Sequence, residues 1–227
     1  MSEKVIPAPA ATVVLIRDGA TGLEALLLRR NAALKFAGGS WVFPGGRIDP
    51  QDYDKTAPDN VALAARNASV REAQEETGLL INATDLLYFS HWTTPPIMPK
   101  RFATWFFIAR VDVDAPEVEV DGDEIHAHKW FAPPAALEAQ RAKEIALMPP
   151  TFVTLHELGA CANVDAALQL FSQHEPRQFE PRFVDVPGGM VALYEGDAGY
   201  ESNDPHQVGA RHRFWMKDDG WYYEQDL

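Results

Sequence analysis

The chain has 227 residues, of which 46% are hydrophobic and 11% aromatic, so it can build a sizeable core and is unlike a disordered sequence. Its 33 acidic residues outnumber the 20 basic ones, and the resulting net charge of −13 argues against binding to a nucleic acid polymer. The single cysteine, Cys161, rules out a disulfide within the chain and fits a reducing compartment.

The first elements alternate between apolar runs and turn residues. Residues 11–17 and 23–29 are rich in leucine and β-branched residues and are separated by a Gly-containing turn, which predicts an antiparallel hairpin. A loop then leads to the apolar segment 41–43. Pro44-Gly45-Gly46 is expected to end regular structure, and residues 47–60 are expected to form a further loop.

Residues 61–79 have a helical pattern that no Pro or Gly interrupts before Gly78. Gly78 stands where a helix C-cap is expected, and Asp59 or Asn60 suits the N-cap. Strands are then predicted at residues 86–92, 103–111 and 128–131.

The second half is predicted to contain helices followed by strands. The predicted helices cover residues 135–146, 152–158 and 164–172, and four strand-like runs follow residue 182. Because these runs are too short to form a core alone, their aromatic residues need an apolar partner, which is either the rest of the chain or a second subunit. The mixture predicts an α+β fold in which a sheet lies between helices.

The segment Arg71-Glu72-Ala73-Gln74-Glu75-Glu76-Thr77-Gly78 carries the strongest chemical signal. At ~100° per residue, its three glutamates share one helix face, where they repel one another unless a cation lies between them. An all-oxygen set suits Mg²⁺ or Mn²⁺, and Arg71 can hold Glu75 across one helical turn. The alternative is a solvated acidic face, because clustered glutamates are common on protein surfaces.

This segment, together with Pro44-Gly45-Gly46, resembles the Nudix box. That motif reads Gly, five residues, Glu, seven residues, Arg-Glu-aliphatic-x-Glu-Glu-x-Gly-aliphatic, and residues 71–79 match its second half when Ala73 is taken as the aliphatic residue. The first half departs: 24 residues separate Gly46 from Arg71, 11 more than in the pattern, and Asp52 stands where the motif has Glu. An insertion at about residues 47–60 is therefore expected, and the role of Asp52 is left open.

The resemblance, which covers roughly residues 8–135, implies a Nudix-type α/β/α sandwich with a mixed sheet in a domain over residues 1–135. Residues 136–227 are expected to form C-terminal helices and a strand-rich extension packed on this core. The resemblance also implies a metal-dependent pyrophosphohydrolase. The metal ligands would be the Gly46 carbonyl, Glu72, Glu75 and Glu76. Glu72 or Glu75 would act as general base, Arg71 would assist in catalysis, and Glu124 is a candidate for an additional carboxylate.

Other segments bear on the substrate. Residues 26–30, 43–46, 92–95 and 101–107 resemble coenzyme A (CoA) and acyl-CoA diphosphatases, so the expected substrate is a nucleoside diphosphate derivative such as CoA or acyl-CoA. ADP-ribose, NADH and nucleotide sugars stay open, as does a non-catalytic nucleotide sensor, although the chain keeps all three glutamates. Basic residues without acidic neighbours could bind the phosphates: Arg29, Arg30, Lys35 and Arg47, and further along Arg101.

Location and assembly are addressed only indirectly by the sequence. The N-terminus lacks the features of a secretory signal, and no apolar run approaches the ~20 residues that span a bilayer. We therefore expect a cytoplasmic protein that does not bind membranes. A homodimer is one arrangement that would cover the aromatic residues of the tail.

Overall fold

Strands of this chain form two sheets in the computed structural model, which describes residues 5–34, 37–112, 114–120 and 122–226. The first sheet contains β1 (Ala8–Gly19), β2 (Gly22–Arg30), β3 (Trp41–Val42), β4 (Gly45–Arg47), β5 (Leu87–Thr93), β6 (Phe102–Arg110), β7 (Ile125–Phe131) and β8 (Arg177–Phe179). The second contains β9 (Arg182–Val186), β10 (Gly189–Leu193), β11 (His212–Lys217) and β12 (Gly220–Gln225). The helices are α1 (Val61–Thr77), α2 (Pro133–Arg141), α3 (Pro149–Leu158) and α4 (Val164–Ser172). Among the described helices, none is both long and apolar enough to cross a membrane.

The first sheet is mixed, as the sequence predicts. Its main strand order is β3-β2-β1-β6-β5-β8, while β4 pairs with β1 and β7 pairs with β2. The pairs β1–β6 and β5–β8 are parallel, and the other pairs are antiparallel. The predicted hairpin of β1 and β2 forms, with Gly19 opposite Gly22 across the turn.

Alternating residues of β1 belong to two different cores, because successive side chains of a strand point to opposite faces of the sheet. Val13 and Leu15 lie in a cluster with the alanines of α1, whereas Val14 and Ile16 lie in a cluster with residues of α3 and α4. The sheet is therefore covered by α1 on one face and by the later helices on the other. This confirms the expected α/β/α arrangement.

Helix α1 begins and ends where its capping residues predict. The side chain of Asn60 accepts a hydrogen bond from the N–H of Leu63. Gly78 adopts a left-handed conformation with φ of 72°, and its N–H donates to the carbonyl of Gln74. The helix is thus fixed at both ends, and the segment that carries the glutamates occupies its last two turns.

The second sheet packs against the core of the first. Ala192, Tyr194, Phe214 and Tyr223 belong to the same hydrophobic cluster as Val14 and Ile16. The tail thus finds its apolar partner within its own chain. A homodimer and a domain division at residue 135 stay predictions.

Two expectations for individual segments are wrong, and one strand forms where the sequence predicts none. Gly45–Arg47 does not end regular structure but pairs with Ala10–Thr12, because glycine allows the close approach of two strands. The helix predicted over residues 135–146 begins at Pro133 and ends at Arg141, since Lys143 adopts a left-handed φ of 60°. The Pro- and charge-rich stretch at residues 175–181 contains β8, which joins the first sheet.

Candidate active site

Arg71 is the centre of a cluster of carboxylates at the end of α1. Its guanidinium donates to both oxygens of Asp52, each at 3.0 Å, and to Glu72 and Glu75 at 2.8 and 2.9 Å. A further hydrogen bond reaches the carbonyl of Arg47. The bonds to Asp52 raise the pKa of Arg71, so the guanidinium stays charged and fixes several acidic groups at once.

Asp52 has a definite place in this cluster. Its side chain is 4% exposed, accepts from the N–H of Asp49 at 2.8 Å and forms the two-bond ion pair with Arg71. The side chain of Asn67 donates to its backbone carbonyl. With Asp52 paired to Arg71, the spacing of five residues from Gly46 matches the motif, and the 11 additional residues fall between Asp52 and Arg71.

Glu72 lies against the backbone of Gly46. A Cβ atom at Gly46 would overlap the carboxylate of Glu72, so a larger residue there would displace it. Burial raises the pKa of Glu72 above its usual value, while the charge and hydrogen bond of Arg71 oppose that shift. Arg71 is shared between Glu72 and other carboxylates, and a cation held between Glu72 and the Gly46 backbone would add to the balance of charge there.

Glu76 and Glu75 have different surroundings, although they share a helix face with Glu72. Glu76 is buried and accepts a hydrogen bond from the N–H of Gly45 at 2.9 Å, whereas the side chain of Glu75 is 56% exposed. Within the described ranges, no three acidic, histidine or cysteine side chains converge on one point as they stand. An all-oxygen set next to a close backbone approach nevertheless fits Mg²⁺ or Mn²⁺, provided that the exposed Glu75 turns away from Arg71.

Arg30 and Glu124, two further residues that the sequence analysis predicts for the site, contact each other. The Arg30 guanidinium donates to Glu124 at 3.3 Å, and its Nε–H is buried without a hydrogen-bond partner in the described part of the chain. Glu124 is more than half exposed. Arg30 also lines the cleft next to Gly45, which leaves it placed to contact an anion there.

The remaining basic residues differ in their surroundings. Arg29 and Arg47 are exposed. Lys35 lies outside the described residues. Arg101 differs from the others, because its buried guanidinium donates to the carbonyls of Thr94 and Val5 and to Glu180, and its contact with a substrate stays a prediction. Arg101 thus ties loops of the protein together.

A cleft of about 280 Å³ lies beside this cluster and is mostly apolar. One side comes from the first sheet and includes Thr12, Arg30, Gly45 and Trp92. The other side comes from the C-terminal region and includes Met148, Pro149, Pro150, Thr151, Pro181, Phe183 and Tyr194. The tail therefore forms part of the cleft wall. No local signal in the sequence places Phe183 or Pro181 there, because they reach the cleft only through the packing of the second sheet.

The Asp52→Asn variant should lower the free energy of unfolding by about 2 kcal/mol, the range for hydrogen bonds to charged groups, because Arg71 loses its buried counter-ion. Urea unfolding measures this loss. Asp49→Asn is the matched control, since Asp49 lies on the same loop, 3.9 Å from Arg71, but is half exposed. Its effect should stay below about 1 kcal/mol. Equal effects of the two substitutions would contradict the central position of Asp52.

Comparison with known proteins agrees with this geometry. The model of the NUDIX domain family matches residues 7–151. The chain is 29% identical to acyl-coenzyme A diphosphatase NUDT19 of Gallus gallus over 54% of its length and 34% of that protein. It is 26% identical to the protein of the same name from Xenopus laevis over 72% of its length and 44% of that protein. The chain thus spans less than half the length of these two relatives.

A solved structure extends the comparison to the fold. The crystal structure of a NUDIX hydrolase from Alicyclobacillus acidocaldarius superposes with a TM-score of 0.65 at 26% identity. The superposition covers 73% of this chain and 96% of that one. The segment that the family model matches contains both halves of the motif, around Gly46 and Arg71, and strands β1 to β7 of the first sheet. The chain therefore belongs to the Nudix family.

Proposed function

We propose that this protein is a divalent-metal-dependent pyrophosphohydrolase that cleaves a nucleoside diphosphate linked to another moiety. The observation that carries the proposal is the carboxylate cluster around Arg71, in which Glu72 lies against the backbone of Gly46 beside an apolar cleft. A solvated acidic face does not require a partly buried glutamate against the backbone of a glycine. The same features are expected where a cation is held between side-chain and backbone oxygens.

The residues have separable roles in this reaction. Glu72, Glu75, Glu76 and the Gly46 carbonyl would hold the metal. When bound, divalent ions neutralise the pyrophosphate oxygens and lower the pKa of an attacking water. Glu72 or Glu75 accepts the proton of that water, and Arg71 holds both side chains in place through its hydrogen bonds.

Cationic side chains would bind the phosphates. Arg30 lines the cleft, and Arg29 and Arg47 are exposed on strands next to it. In a chain with a net charge of −13, such residues provide local attraction for an anionic substrate. Glu124, held by Arg30, is the candidate for a further carboxylate at this end of the site.

The substrate class that the cleft favours is CoA or acyl-CoA. Beyond Gly45 the cleft is lined mainly by apolar side chains, including Phe102, Phe106 and Phe183, which suit a flexible apolar arm better than a second sugar. The names of the two curated relatives point to the same class. ADP-ribose, NADH and nucleotide sugars are the competing substrates.

The decisive experiment is a substrate panel analysed by mass spectrometry. CoA, an acyl-CoA, ADP-ribose, NADH and a nucleotide sugar are each incubated with the protein and Mg²⁺ or Mn²⁺. We expect cleavage of the phosphoric anhydride bond, fastest for CoA or acyl-CoA, and loss of all activity in excess EDTA. Full turnover in EDTA would contradict the metal-dependent mechanism, and preference for a sugar nucleotide would contradict the substrate assignment.

A further inference from the structure

Two hydrogen-bond donors next to the cleft lack partners. The indole N–H of Trp92 and the hydroxyl of Tyr194 are both buried, and neither has a hydrogen-bond partner in the part of the chain that the structure describes. Both residues line the cleft, and their ring centroids are 5.7 Å apart. Trp92 belongs to β5 of the first sheet, whereas Tyr194 follows β10 of the second.

Two buried donors without partners lower the stability of the protein when no ligand is bound. A buried donor without a partner lowers stability, so most buried polar groups in native proteins are paired, and an unpaired one next to a cavity suggests that a ligand supplies the partner. The indole can only donate. Burial raises the pKa of Tyr194 well above its usual value, so its hydroxyl also keeps a proton to donate. The complementary ligand atom is therefore a hydrogen-bond acceptor.

The surroundings restrict the group that carries this acceptor. Met98, Phe102, Phe106 and Phe183 line the same cleft and offer only apolar side-chain surface. A charged acceptor would lose its hydration beside these side chains, whereas a neutral carbonyl on an apolar chain would lose little. The cleft also includes Gly45 and Arg30, so such a chain could continue from a phosphate at the carboxylate cluster.

We propose that Trp92 and Tyr194 bind a carbonyl oxygen on the apolar arm of the substrate, either an amide or a thioester. This inference rests on the proposed function and adds a specificity determinant to it. CoA carries two amides on its arm, and acyl-CoA adds a thioester. ADP-ribose has a second ribose at the same place and carries no such carbonyl. The two donors would therefore help to distinguish CoA derivatives from sugar nucleotides.

The test is calorimetric binding of CoA, octanoyl-CoA and ADP-ribose in Mg²⁺ to Glu75→Gln protein, with and without Tyr194→Phe. The Glu75→Gln background slows turnover, so binding is measured whether or not the protein is a hydrolase. We expect Tyr194→Phe to raise the Kd of CoA or octanoyl-CoA about 3- to 10-fold, the value of one hydrogen bond, and to leave that of ADP-ribose unchanged. An effect on both CoA compounds indicates an arm amide, and an effect on octanoyl-CoA alone indicates the thioester.

A stability measurement separates this role from a structural one. Because the hydroxyl has no hydrogen-bond partner among the described residues, Tyr194→Phe should not lower the midpoint of urea unfolding. Trp92→Phe, which removes the other donor, should show the same ligand selectivity. The inference is overturned if the midpoint falls, if all three ligands lose affinity equally, if none does, or if CoA does not bind. The substrate panel tests the proposed function separately, since it measures cleavage by the unmodified protein.

Discussion

The Glu75→Gln variant should lose about 100-fold or more in kcat and unfold at the same urea concentration as the original protein. Glutamine keeps the size and helix propensity of glutamate but removes the charge that would bind a metal and the oxygen that would accept a proton. Because Glu75 is exposed, its pair with Arg71 one helical turn away contributes only about 0.3–0.5 kcal/mol to stability. Steady-state kinetics in Mg²⁺ and urea unfolding give the two quantities.

Glu138→Gln provides the matched control for this substitution. Glu138 is an exposed helical glutamate that pairs with Arg141 on α2, outside the carboxylate cluster. We expect unchanged turnover and an unchanged unfolding midpoint. If Glu75→Gln behaved in the same way as Glu138→Gln, Glu75 would belong to a solvated acidic face and the proposed mechanism would lose one of its central residues.

Arg213→Met should lower the free energy of unfolding by about 3–5 kcal/mol, the usual cost of removing one partner of a buried ion pair. Arg213 donates to both oxygens of Asp197, at 2.7 and 2.6 Å, and both side chains are almost completely buried. Methionine fills a similar volume but leaves the charge of Asp197 without its counter-ion. Guanidinium chloride unfolding measures the loss.

The double variant Asp197→Asn/Arg213→Met is the control, because it also removes the charge of Asp197 that Arg213→Met leaves without a counter-ion. It should be more stable than Arg213→Met alone, and a double variant of equal or lower stability would contradict a charge-based origin of the loss.

The same pair predicts a pH dependence. Burial alone would raise the pKa of Asp197, but hydrogen bonds from Arg213 and from the N–H groups of His212 and Gly199 lower it below its usual value. The pair therefore stabilises the protein above the pKa of the unfolded state and loses that contribution as the pH falls through the lowered pKa. Acid unfolding monitored by circular dichroism should show a smaller stability loss for Arg213→Met.

The elements of the fold that could be predicted are those marked by capping or turn residues in the local sequence. Helix α1 has a side-chain cap at Asn60 and a glycine cap at Gly78, and β1 and β2 are joined by a short glycine-bounded turn, so the sequence alone locates them. Strand β8 has three residues beside prolines, and its conformation is set by pairing with β5, which lies more than 80 residues earlier. Contacts of that kind leave little trace in local sequence.

The candidate site also contains some residues that the local sequence predicts and others that it does not. Glu72, Glu75 and Glu76 share a face because helix geometry places them there, and Arg71 contacts Glu75, four residues later, for the same reason. Asp52 reaches Arg71 through the folding of a loop, and the long spacing between the two residues does not indicate this contact. No sequence pattern indicates the hydrogen bonds of Arg101 to Thr94, Val5 and Glu180. The part of the cleft wall that comes from the tail depends on long-range packing, and the sequence indicates only that the aromatic residues of the tail need an apolar partner.

The parallel pairing of β8 with β5 has a consequence for how this protein is synthesised. Until residues 177–179 leave the ribosome, the backbone N–H and C=O groups along the outer side of Leu87–Thr93 have no strand beside them. An unpaired strand edge is a template for association with other chains, and a three-residue strand at the rim is short enough to limit such association afterwards. A nascent chain that stops at residue 151, where the family match ends, would keep this edge open, so solubility should depend on residues that lie beyond that match.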